Sequence, residues 1–125
     1  MNTKKILIVD DYKLMLDLLV KIFTKEFNCK IYTETDPKKA IDRILDIEPD
    51  LVILDIVMPD VAGCQIADQM RNYPSLSRTK IIFYSGIMSE DETRSYNGKY
   101  KKETCFSKSA NLEDFVKHIK KLFNR

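Results

Sequence analysis

The chain contains no Cys-x-x-Cys pair, no apolar run long enough to cross a membrane, and no large excess of either charge. Its three cysteines, Cys29, Cys64 and Cys105, are an odd number and widely separated. That pattern fits packed thiols in a reducing compartment and not a disulfide framework. The run after Met1-Asn2-Thr3-Lys4-Lys5 has four apolar residues, far short of a signal-peptide core or of the roughly 20 that a span needs. A soluble, cytoplasmic protein without membrane insertion is expected. Lys and Arg number 21 against 19 Asp and Glu, a formal charge of +2. Nothing in that balance argues for direct nucleic-acid binding. With 3 glycines and no Gly-x-Gly-x-x-Gly, nucleotide- and flavin-binding readings lack their phosphate-cradling turn. The one histidine, His118, has no partners in view with which to converge, so no catalytic role is assigned to it. Repeats, low-complexity tracts and linkers are absent as well. At 125 residues and 44% hydrophobic, residues 1–125 fit one domain with a proper core, and no output domain is expected.

What is present is an alternation of apolar, strand-like runs with amphipathic stretches, which indicates repeated βα units around a mostly parallel sheet. Ile6-Leu7-Ile8-Val9 and Leu51-Val52-Ile53-Leu54 are continuous apolar runs of the kind buried on both faces. Met15, Leu18, Leu19, Ile22 and Phe23 recur at helical spacing and predict a first helix over residues 12–26. Residues 29–33 read as a half-polar edge strand. Asp36-Pro37 starts a second helix, with Asp as cap and Pro at the first helical position. A third helix is expected over residues 64–72 and a fourth strand over 79–84. The stripe Leu112, Phe115, Val116, Ile119, Leu122, Phe123 behind Asn111 marks the last helix. Residues 89–103 have almost no apolar face, so a fourth helix there should be short or irregular.

Asp10 and Asp11 end the first apolar run, and Asp55 ends the other. Ligands of open parallel sheets sit beyond the carboxyl ends of the strands, where strand order reverses. If the two runs are neighbours there, the three carboxylates converge and repel one another unless a cation neutralises them. Ser85 closes the fourth strand and Lys108 the fifth, so both fall at the same crevice. As bare features, the Asp pair also reads as a helix cap, Met58-Pro59 as a loop and Gly63 as a turn. The cluster Lys99, Lys101 and Lys102 reads as a solvated loop.

In this combination, Asp10-Asp11, Asp55-Ile56-Val57-Met58-Pro59 with Gly63, Ser85-Gly86 and Lys108, the chain resembles the receiver domain of bacterial two-component response regulators over essentially its whole length. The resemblance implies a single three-layer, doubly wound α/β domain. Its five parallel strands would lie in the order 2-1-3-4-5 with helices on both faces. It implies that Asp55 accepts a phosphoryl group from the phosphohistidine of a sensor histidine kinase or histidine phosphotransfer protein. It also implies a Mg²⁺ site made of Asp11, Asp55, the Val57 carbonyl and, through water, Asp10. Lys108 and Ser85 would hold phosphoryl oxygens, and Gly86 would keep the approach open. The output would be an altered binding face for an unidentified downstream protein.

The sequence departs from the family pattern at several places. Ser109 stands where proline usually follows the lysine, which puts the usual cis bond there in question. Cys105 stands where an aromatic switch residue is frequent, with Phe106 or Tyr84 as substitutes. Val57 and Ile87 are apolar where receivers tune hydrolysis, which predicts slow self-dephosphorylation and no turnover of an external substrate. Two alternatives remain: a pseudo-receiver that is not phosphorylated, and the receiver part of a longer regulator. An aspartate-nucleophile phosphatase would need Asp-x-Asp, and Val57 occupies that place.

Overall fold

The computed structural model describes residues 3–85, 99–100, 103–107 and 112–123. Its strands are β1 (Lys4–Val9), β2 (Cys29–Glu34), β3 (Leu51–Leu54), β4 (Lys80–Ser85), β5 (Lys99–Tyr100) and β6 (Glu103–Ser107). The helices are α1 (Lys13–Glu26), α2 (Ala40–Ile47), α3 (Gly63–Met70) and α4 (Leu112–Phe123). The sheet order is β2-β1-β3-β4-β6-β5. The five long strands are all parallel and follow the expected 2-1-3-4-5 order once the short β5 is set aside.

β5 is a short addition to that five-stranded parallel sheet. It pairs antiparallel with β6 through Lys99↔Thr104 and Tyr100↔Glu103. This segment has no apolar face to bury as a helix, so its backbone groups are satisfied by adding a two-residue edge to the sheet. A short, lysine-bearing edge strand also discourages further pairing. The irregular helix expected over 89–103 otherwise lies outside the described residues.

Strand alternation divides the apolar residues between two cores. Leu7, Val9, Val52, Leu54, Ile81, Phe83 and Cys105 pack on one side with Ala40, Ile44, Ile66 and Met70 of α2 and α3. Ile6, Ile8, Leu51, Ile53, Ile82 and Tyr84 pack on the other with Leu16, Leu19, Phe23, Phe115 and Ile119 of α1 and α4. This explains why Ile6–Val9 of β1 and the whole of β3 are apolar without a break: each of these residues faces a helix layer. Burying each such side chain stabilises the fold by about 1.5–3 kcal/mol. β2, with only one neighbour, is half-polar as its edge position requires.

The helix boundaries follow local chemistry. The Asp36 carboxylate accepts the Lys38 N–H at 3.0 Å, but Pro37–Lys39 forms a 3-10 turn first, so α2 begins at Ala40. Glu48 closes α2 in the left-handed region, φ 51°, donating its N–H to the Ile44 carbonyl, and Pro49 then prevents continuation. The Gln65 side chain caps the start of α3 by accepting the Ala62 N–H at 2.8 Å. α3 ends at Met70, before a 3-10 turn at Pro74–Leu76, two residues earlier than its sequence suggests.

Candidate functional site

The registers Val9↔Leu54 and Leu54↔Phe83 align the ends of β1, β3 and β4. Asp10 and Asp55 are the next residues along β1 and β3. The ladder continues through them: the Asp55 N–H donates to the Val9 carbonyl at 3.1 Å and the Asp10 N–H to the Glu34 carbonyl at 3.2 Å. Their side chains continue the row of Ile6, Ile8, Leu51 and Ile53 beyond the core. Asp10, Asp11 and Asp55 therefore converge, with one carboxylate oxygen from each lying within 4.8 Å of the others. Asp10 and Asp55 are buried and Asp11 is exposed, so the cluster opens to solvent on one side.

Asp10 also serves the helix that follows. Its Oδ1 accepts the Tyr12 N–H at 2.9 Å, fixing the turn into α1, whose N-cap Tyr12 supplies no side-chain cap of its own. The capping and clustering readings of this residue are thus compatible.

Three carboxylates of this spacing suit a hard cation. Mg²⁺ holds oxygens at about 2.0–2.1 Å and retains several waters, so its ligands lie up to about 4 Å apart. The observed separation needs only small side-chain movements to match. Val57, in the loop after β3, has its side chain 55% exposed. The loop then returns against the site: the Gly63 N–H donates to the Ile56 carbonyl at 3.0 Å. A Cβ at Gly63 would lie 2.1 Å from the Asp55 carbonyl oxygen. The sequence marks Gly63 only as a turn residue; its contact with the backbone that carries Asp55 is visible only in the fold.

Ser85 closes β4 opposite Ser107 of β6, at the same end of the sheet as the carboxylates. Lys108 follows β6 directly in sequence, but it lies outside the described residues, as do Gly86, Ile87 and Ser109. The structure thus assembles the acidic half of the expected site.

Tyr84 is the neighbour that sequence reasoning missed in this role. It shares the sheet face of Asp10 and Asp55, and burial, then the charge of Asp10, holds its hydroxyl above the usual phenol range. Strand alternation puts it on the sheet face opposite Cys105. Cys105 lies in the core beneath α2 and α3. Tyr84 and Phe106 face the opposite core, so neither can rotate on the side that Cys105 occupies. Burial pushes the Cys105 thiol up to about 11. Cys29 is raised by burial and by the charge of Asp50, with Lys4 opposing. None of the three cysteines is in a disulfide. His118 packs on Phe106, ring centroids 5.3 Å apart.

Comparison with known proteins gives one result at every level. A family model described as response regulator receiver domain matches residues 6–120. The signal receiver domain of a DNA binding response regulator protein (merR) from Colwellia psychrerythraea 34H is 28% identical, with a TM-score of 0.83 over 98% of this chain and 99% of that one. Response regulator protein TrrA from Thermotoga maritima, solved in complex with Mg²⁺ and BeF, is 29% identical, with a TM-score of 0.79 over 96% of this chain and 99% of that one. Stress response regulator protein 1 of Scheffersomyces stipitis is 37% identical over 81 residues, 64% of this chain. The match spans 28% of that curated relative's length.

Proposed function

The chain belongs to the response regulator receiver family, and from that premise we propose that it is a signalling receiver switched by phosphorylation of Asp55. The observation that carries this reading is the convergence of Asp10, Asp11 and Asp55 at one sheet end. In the proposed reaction an Asp55 carboxylate oxygen bonds to phosphorus while the bond from phosphorus to the donor histidine nitrogen breaks, and the imidazole leaves. Such transfer needs chiefly positioning and charge neutralisation. Asp10, Asp11, Asp55 and the Val57 carbonyl would hold Mg²⁺, which supplies positive charge to the phosphoryl oxygens when bound.

The chain's own residues supply the rest. The ladder bond to Val9 and the packing of Gly63 against the Asp55 backbone fix the nucleophile. Lys108 would pair with one phosphoryl oxygen and Ser85 with another. The product adds roughly −1.5 to −2 charge and three acceptor oxygens, enough to bias a two-state surface that an unidentified partner reads. Phosphate would come from a sensor histidine kinase or a phosphotransfer protein, and onward relay is an equivalent output. The exposed, apolar Val57 cannot position a water, which supports slow self-dephosphorylation. No helix of the described residues is long and apolar enough to cross a membrane.

The test is intact mass after incubation with Mg²⁺ and a small acyl-phosphate donor, beside Asp55→Asn and a metal-free control. A single phosphate adduct that needs both Asp55 and Mg²⁺ supports the reading. A folded, Mg²⁺-binding protein that forms no adduct is a pseudo-receiver, with Ser109 the first residue to replace by proline.

A further inference from the structure

At the end of the sheet opposite the carboxylates, a groove of about 520 Å³ opens between the end of α3, the turn into β4 and the start of β6. Lys80 begins β4 and pairs with Leu51 at the start of β3, which places this groove a full strand length from Asp55. Its charged lining is one-sided: among the described residues Arg71, Arg78 and Lys80 line it together with a single carboxylate, Glu103. Arg71 is ion-paired with Glu103. Neither Arg78 nor Lys80 has an ion-pair partner among the described residues, and both are exposed. Ser77 and Thr104 add hydroxyls to the same wall. The whole chain carries a formal charge of only +2, so this excess of cations is local and not a reflection of overall composition.

We propose that this groove binds a small anion bearing a chain of two or more phosphates, held by Arg71, Arg78 and Lys80. Guanidinium forks match phosphate oxygens in pairs, and an ammonium adds a point charge. The volume is in the range of small-molecule sites, about 300–1,000 Å³, and several times that of one phosphate. None of the described lining residues is aromatic, so none of them stacks on a nucleobase, and recognition rests on the phosphate chain. Glu103 competes with the ligand for Arg71, which fixes opposite signs for two substitutions in one groove. The inference does not depend on phosphorylation of Asp55.

The experiment is a calorimetric and amide-NMR titration of the metal-free protein with inorganic triphosphate at constant ionic strength, with adenosine triphosphate as a second arm. Saturable binding is expected, with shifts confined to the groove. It should weaken about tenfold or more in Arg78→Glu, the loss of one charge-assisted contact, strengthen in Glu103→Gln, and be unchanged in Asp55→Asn. Arg78→Gln and a urea midpoint confirm that the loss is one of charge and not of folding. Equal affinity for the two triphosphates supports recognition of the phosphate chain alone. Absence of saturation, indifference to Arg78, weakening by Glu103→Gln, or much tighter binding of the nucleotide would each overturn the proposal.

Discussion

Tyr84 of β4 lies flat on Phe115 of α4, with ring centroids 4.7 Å apart and planes 3° from parallel. Phe115 in turn contacts Phe23 of α1 at 5.8 Å and Phe106 of β6 at 5.0 Å. One stacked pair therefore joins the strand that ends at Ser85 to both helices on that face, while the Tyr84 hydroxyl feels the charge of Asp10.

Replacing Tyr84 by Ala should destabilise the fold by about 3–5 kcal/mol, because the cavity opens beneath two helices. Tyr84→Phe keeps the stack and should cost no more than about 1 kcal/mol. Urea unfolding of both variants decides this. Equal midpoints for the two would show that the stack contributes nothing.

Occupation of the carboxylate crevice should stabilise the protein. At a Mg²⁺ concentration a hundredfold above its dissociation constant, the gain is about 2.7 kcal/mol. A chelator should remove it. Asp11→Asn and Asp55→Asn should lose the response to Mg²⁺ yet melt higher than wild type without metal, since each relieves repulsion among three close carboxylates. Thermal melts with and without Mg²⁺ read both signs, and a metal-free variant that melts lower contradicts the electrostatic account.

Gly63→Ala places a methyl group 2.1 Å from the Asp55 carbonyl oxygen, where backbone and not a flexible side chain must yield. Overpacking of this kind costs about 1–3 kcal/mol, occasionally more. Because the displaced backbone carries Asp55, the variant should also accept phosphate more slowly than its loss of stability explains. Adduct formation measured well below its melting temperature separates the two effects.

Alkaline pH should act through Cys105, whose thiol rises from an ordinary 9.0 to about 11 on burial. A raised folded value means the stabilising contribution is whole below pH 9 and is lost as pH climbs through 11. Comparison of wild type with Cys105→Ala across that window isolates the term: the wild type should fall more steeply. At pH 8 the native thiol is only about one part in a thousand ionised, so alkylation followed by mass spectrometry should find Cys105 slow to react. Fast labelling in the folded state would contradict its burial.

Much of the fold was legible in the sequence because local chemistry and strand burial leave one-dimensional marks. Unbroken apolar runs at β1 and β3 announced strands covered on both faces, the half-polar β2 announced an edge, and the α4 stripe announced its helix. Asp10, Asp11 and Asp55 were legible as a cluster for a related reason: parallel strands that end together bring the next residues together. β5 was not legible, since a two-residue edge strand has no periodicity to read.

What the sequence by itself determined is the order of elements and the chemistry at their ends, because hydrophobic period, caps and strand termini depend on near neighbours. Tertiary structure alone decided three things that depend on distances across the chain. These are the closeness of Gly63 to the Asp55 backbone, the sheet face on which Tyr84 meets Phe115, and the basic groove that joins Arg71 to Glu103 across 32 residues. Each depends on how layers pack and how registers align, and neither quantity is written in any local run of residues.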